Sequence, residues 1–214
     1  MLVLEVLLEE PSAENALRIL VPRLVSHAEE HVNFELRVFR GKDDLLRKLP
    51  DRLRGYASWA RHADVRILVL VDRDDDECVV LKREIDRLAV EAGLTLHTRD
   101  AVPTGGSFKT RIACEEIEAW FLGDAEALRS AYPRVAKNFE HRAGFRDVDN
   151  IHGGTWEKLQ RILQDAGYFS NGLRKIELAR TLAPLMSTDH NRSVSFRYFC
   201  EAVRDLFPAG GVDE

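Results

Sequence analysis

Two stretches of this chain are almost unbroken aliphatic runs, Leu2 to Leu8 and Val65 to Val71. Both are short and leave no polar side, so each reads as a strand of a parallel sheet covered on both faces. The first run is too short to cross a bilayer, contains Glu5 and has no basic flank; it is expected to be neither a signal peptide nor an anchor. After it, Pro11 and Ser12 open a helix with Ala16, Leu17, Leu20 and Leu24 at helical spacing, Ser12 as candidate N-cap and Pro22 expected to kink or split it.

The same alternation repeats. Phe34 to Phe39 alternates apolar and charged residues as a half-buried strand does, and Asp43 to Trp59 carries Leu45, Leu46, Leu49, Leu53 and Tyr56 along a helix that Pro50 interrupts. A third helix runs from Glu77 to Ala92 and stops at Gly93. Leu94 to Thr98 reads as a short fourth strand, Thr104 to Gly106 as a flexible loop and Phe108 to Cys114 as a candidate fifth strand. Beyond Glu115 helical patterns dominate, over Glu115–Leu122, Ala125–Tyr132, Thr155–Ala166, Leu173–Ala183 and Ser195–Phe207, and Arg134 to Gly154 is the expected mobile loop. The reading is an α/β fold with a mainly parallel open sheet of four to five strands, Rossmann-like, over residues 1–124, and a helical extension over 125–214 packed on or capping it.

With 214 residues and 45% hydrophobic content the chain can bury a proper core. Its 36 acidic and 31 basic residues advertise no polyanion partner, so any nucleic-acid contact has to use local patches. Three cysteines without CxxC spacing argue against a disulfide framework or a structural zinc site and fit a reducing cytoplasm.

In an open parallel sheet ligands bind outside the carboxyl ends of the strands. Glu9 and Glu10 follow the first strand, and Asp72, Asp74, Asp75 and Asp76 follow the third. If those strands are neighbours, like charges gather there and call for a cation. Asp72 and Asp74, two apart on a chain read as still extended, form a pair suited to a hard, oxygen-seeking ion. Alternatively each cluster merely starts a helix, where acids suit the dipole. A third cluster, Glu115, Glu116 and Glu118, also leaves a strand and has the same two readings.

At these residues the sequence resembles a known family. LEVLLEEPSAENAL and, further on, ILVLVDRDDDE resemble the Toprim domain of topoisomerases, primases and overcoming-lysogenization-defect nucleases. That resemblance implies Glu9 as metal ligand or general acid/base, and Asp72 and Asp74 as holders of Mg²⁺ or Mn²⁺. Glu10 stands where Toprim domains usually have glycine, and no glycine follows the Asp-x-Asp. The segments LLEEPSAENALRILVPRL, IACEEIEAWFLGD and NRSVSFRYF are similar to a bacterial family of standalone Toprim-like proteins, some of them nuclease effectors of antiphage systems with an ABC-type ATPase partner. This implies Glu118, just before the shared Trp, as a further metal ligand.

His27 and His31 match an HxxEH zinc-protease pattern, yet they fall where the first helix ends, at the sheet edge opposite the carboxylates; a solvated helix end is the expectation. The loop before Lys109 lacks P-loop spacing, and no nucleophile elbow is present. Candidate phosphate contacts are Lys109, Lys175 and Arg192, the last in a loop with Tyr168, Phe169 and Phe196 near in sequence; the aromatics also read as core. The expectation is a cytoplasmic Mg²⁺- or Mn²⁺-dependent nuclease acting on DNA, tRNA or another RNA, without a membrane partner, and compatible with a homodimer. The rivals are a non-catalytic Toprim-like module docking an ATPase and a small-molecule phosphohydrolase.

Overall fold

A computed structural model describes residues 2–74, 76–99 and 101–209. Asp75, one of the acids grouped after the third strand, lies outside the described residues. Five strands, β1 (Leu2–Leu8), β2 (Val32–Val38), β3 (Asp64–Asp72), β4 (Thr95–Leu96) and β5 (Ser107–Ala113), form one sheet in the order β2-β1-β3-β5-β4. Every pairing is parallel. Eight α-helices are present among the described residues: α1 (Pro11–Leu24), α2 (Lys42–Trp59), α3 (Cys78–Glu91), α4 (Glu118–Gly123), α5 (Ala125–Ala131), α6 (Thr155–Asp165), α7 (Lys175–Leu182) and α8 (Val194–Leu206). The chain is thus an α/β protein with an open, all-parallel sheet. No helix among the described residues is long and apolar enough to cross a membrane.

The two-residue period of the strands divides the core. Leu4, Val6, Leu8, Leu68 and Leu70 face α1 and the later helices, whereas Val3, Leu7, Ile67, Val69 and Val71 face α2 and α3. Residues beyond 124 continue the first of these cores: α7 packs on α1, α8 packs on β5 and α1, and Trp120 stacks against Phe196 and Phe199 with both ring centroids 5.0 Å away. One charged group sits inside the second core. Glu5 accepts from the Arg37 guanidinium at 2.9 and 3.1 Å and from the Tyr56 hydroxyl at 2.8 Å, so its buried carboxylate is fully provided for.

Several local expectations are revised. Pro22 and Pro50 leave α1 and α2 unbroken: Pro22 falls in the last turn of α1, and α2 runs on past Pro50 with Leu45, Leu49, Leu53 and Tyr56 anchored in the core on both sides of it. Thr104 to Gly106 is a packed turn and not a flexible loop: a Cβ on Gly105 would lie 2.8 Å from the Ala63 carbonyl oxygen, and Gly106 takes a φ of 86°. The segment Arg134–Gly154 is not a free loop either. It forms two 3₁₀ turns, Phe139–His141 and Ala143–Phe145, and buries Phe139, Phe145, Val148 and Ile151.

What holds that segment down is Asp149. Its carboxylate accepts from the Val194 and Ser195 amides at 2.5 and 3.1 Å and from the Ser193 and Ser195 hydroxyls at 2.8 and 2.9 Å, capping α8 from across the chain. Asp149→Ala is therefore expected to lower stability by about 2–3 kcal/mol, since it strips a charged acceptor from four donors at a helix start. Urea unfolding would register this as a lower midpoint with unchanged slope; a midpoint equal to that of the parent chain would remove Asp149 from the account of α8.

Candidate active site

The register Leu8↔Leu70 and Asp72↔Ala113 brings the carboxyl ends of β1, β3 and β5 side by side. As the aliphatic runs implied, β1 and β3 are adjacent and parallel, so Glu9 and Asp72 leave neighbouring strands. Their carboxyl groups come within hydrogen-bonding reach of each other. Two carboxylates only accept, so such a contact requires a proton or a cation between them. Burial holds Asp72 well above the ordinary carboxylate value, and the charges of Glu9, Glu10 and Glu118 add to it. Glu9 is pushed up to about 7, first by burial and then by Asp74.

Glu118 joins this edge from the first turn of α4. It is completely buried and pushed up to about 7 by burial, although Lys175 at 3.2 Å pulls the other way. Beyond that ion pair both Glu118 oxygens are buried without a hydrogen bond, and so is Glu9 Oε2. With buried Asp72 these acceptors make an all-oxygen set whose chemistry suits Mg²⁺ or Mn²⁺. Among the described residues no three acidic, His or Cys side chains are already arranged around one ion position.

Asp74 departs from the expected geometry. The strand ends at Asp72, and Asp74 has a φ of 50°, so the two do not extend to one side as an Asp-x-Asp pair on a strand would. Its carboxylate instead meets the Lys42 ammonium at 2.7 Å while flanking Glu9. Lys42, which the sequence reading passed over, also bonds the Arg73 carbonyl at 3.0 Å and Asp76 at 2.9 Å. With two hydrogen bonds and the ion pair to Asp74 around its ammonium, it shapes the loop after β3. Its signal was positional: Gly41, whose amide donates to the Glu9 carbonyl at 3.0 Å, puts the next residue at the edge where β2 ends.

The expected phosphate contacts fare differently. Lys109 lies buried halfway down β5 and pairs with Asp205 of α8 at 2.5 Å, away from the carboxyl edge, because its strand position points it under α8. Arg192 is a loop clamp: its guanidinium donates to the carbonyls of Glu140, Phe145 and Arg146 at 3.2, 2.8 and 3.1 Å. Lys175 does reach the acidic edge, as counterion to Glu118 and, at 3.6 Å, Glu116. Phe196 is core, and Tyr168 and Phe169 pack edge-on against Tyr132. His27 and His31 are exposed, but α1 stops at Leu24, so they share no helical face.

A cavity of about 790 Å³ lies along the outer side of β5 between α3 and α8. Its acids have other duties, since Asp149 caps α8, Asp86 accepts from Thr110 and Lys82, and Asp147 accepts from the Asp149 amide at 3.2 Å. The carboxyl edge, and not this groove, carries the candidate chemistry.

Raised carboxyl pKa values have a definite thermodynamic sign. Between the unperturbed value near 4.5 and about 7, the folded chain binds more protons at Glu9 and Glu118 than the unfolded chain does, so these groups make stability fall as pH rises through that window. With a chelator present, Glu9→Gln and Glu118→Gln are each expected to flatten the decline in melting temperature between pH 5 and 8. An unchanged pH profile in both variants would contradict the buried-carboxyl description.

No curated protein and no solved structure matches the chain. One family does, across nearly the whole length, from the end of β1 to the last turn of α8: this chain belongs to the family described as a domain of unknown function (DUF4276), matched over residues 8–204.

Proposed function

We propose that the protein is a metal-dependent nuclease, hydrolysing phosphodiester bonds of DNA or RNA with Mg²⁺ or Mn²⁺ held by Glu9, Asp72 and Glu118. The observation that carries this reading is the set of buried carboxylate oxygens without hydrogen bonds on Glu9, just beyond β1, and on Glu118, in α4 beyond β5, beside the buried Asp72 that ends β3. A structural cluster would satisfy them internally, as Glu5 is satisfied by Arg37 and Tyr56. When bound there, a divalent cation supplies the positive charge that polarises a phosphoryl oxygen and offsets charge developing on the phosphate.

The chain's own residues supply the rest. Glu9 stands at the carboxyl edge beside Asp72, where an oxygen not engaged with the ion could accept a proton from water. Asp72 fixes the position of the set, because it is the buried terminus of a strand hydrogen-bonded on both sides. Lys175 limits the repulsion that Glu118 adds. Two exposed arginines flank the edge and suit a polyanion: Arg40, between the Phe39 and Gly41 amides that bond the Leu8 and Glu9 carbonyls, and Arg174, next to Lys175.

Labelled single-stranded DNA, duplex DNA and tRNA incubated with the purified chain and Mg²⁺ or Mn²⁺ test the proposal. Cleavage is expected to stop on chelation, and Asp72→Asn or Glu118→Gln to lower it roughly 10²-fold or more alongside weaker Mn²⁺ binding by calorimetry. Glu9→Gln is expected to cost a comparable factor while keeping the fold, the scale of positioned proton transfer. Asp74→Asn is expected to cost less, because Lys42 already holds that carboxylate. Equal cleavage by all four variants would place the chemistry elsewhere.

A further inference from the structure

The β3–β5 ladder ends at Asp72↔Ala113, and the chain just beyond it is drawn together by two more bonds, Arg73 N to Ala113 O at 2.8 Å and Asp74 N to Glu115 O at 3.4 Å. Cys114 sits between them. The segment it faces runs into α3, whose first residue is Cys78. Both thiols line one groove of about 790 Å³ beside β5, Cys114 from the end of β5 and Cys78 from the start of α3. Neither is fully buried, whereas Cys200 lies in the core at 1% exposure. A small reagent therefore has a path to one thiol pair and not to the third cysteine.

We infer that Cys78 and Cys114 are an oxidisable pair that closes to an intramolecular disulfide through exchange with a low-molecular-weight disulfide entering this groove. Cys114 keeps its proton tightly, its thiol being pushed up to about 12 by burial and by Cys78, so the exchange begins at Cys78. The Cys78 thiolate attacks one sulfur of the small disulfide, breaking its S–S bond and releasing one small thiol, which takes up the proton Cys78 lost. Cys114 then loses its proton and attacks the Cys78 sulfur; the Cys78–Cys114 bond forms, and the second small thiol leaves with that proton. Two protein thiols are oxidised, and one small disulfide is reduced to two thiols. The new bond ties the loop bearing Asp74 and Asp76 to the loop bearing Glu115 and Glu116, so it stiffens the acidic edge from outside.

The pair can be tested without any enzymatic assay. The full chain is treated with oxidised glutathione, unfolded, alkylated and mapped by mass spectrometry. Reduced protein carries three alkylatable cysteines. The expected oxidised product carries one, Cys200, together with a linked Cys78–Cys114 peptide pair and a melting temperature raised by several degrees through the closed loop. Cys200→Ser is expected to cross-link like the parent chain, and Cys78→Ser to yield no intramolecular link. Recovery of Cys78 only as a glutathione adduct, or of disulfides only between chains, would overturn the inference.

Discussion

The pairing of β1 with β3 is the constraint on which the rest depends. It is demanded by apolar burial, since Leu4, Val6, Leu68 and Leu70 on one face and Val3, Leu7, Ile67 and Val69 on the other leave both strands no partner but the interior. Each strand ends in an acid, so the same burial forces Glu9 and Asp72 together. The hydrophobic effect therefore supports a concentration of like charge that those residues would never adopt on their own.

The surrounding charges show how the fold tolerates this. Lys42 neutralises the loop after β3 and Lys175 the start of α4, each from a helix N-terminal turn that also packs on the core. Neither cation meets Asp72. The centre of the cluster is left with protons or a bound ion as its only means of relief, and its edges are held by ordinary ion pairs. Such a division suits a site whose charge has to change during use, because the walls need not move when the centre does.

The elements were legible in the sequence wherever one physical signal dominated. Aliphatic runs marked β1 and β3, and helical spacing of leucines marked α1, α2 and α6. Strand ends alone pointed to the edge that carries Glu9 and Asp72, whereas Glu118 was reached through the family resemblance. What stayed hidden were pairings between distant positions. Lys109 looked free until Asp205, 96 residues away, was folded over it. Arg192 looked like a phosphate contact until the segment around Phe145 supplied carbonyls, and that segment looked mobile because its few buried aromatics are diluted by charge. Asp74 was misread because extended geometry was assumed for two residues past the end of β3; backbone handedness in a turn leaves little trace when the residue is not glycine.

The two-residue β4 has a consequence at the far side of the sheet. It covers β5 only as far as Phe108, so the following residues form a bare strand border, the kind of surface on which stray chains add themselves. Arg111 answers this from within the strand. Its guanidinium folds back over the Thr110 carbonyl at 2.8 Å and reaches the Tyr198 carbonyl of α8 at 2.8 Å, like a bolt drawn across an unguarded hem. An arriving strand would have to draw that bolt before its first bond could form, so the sheet stops at five strands by obstruction and not by lack of room.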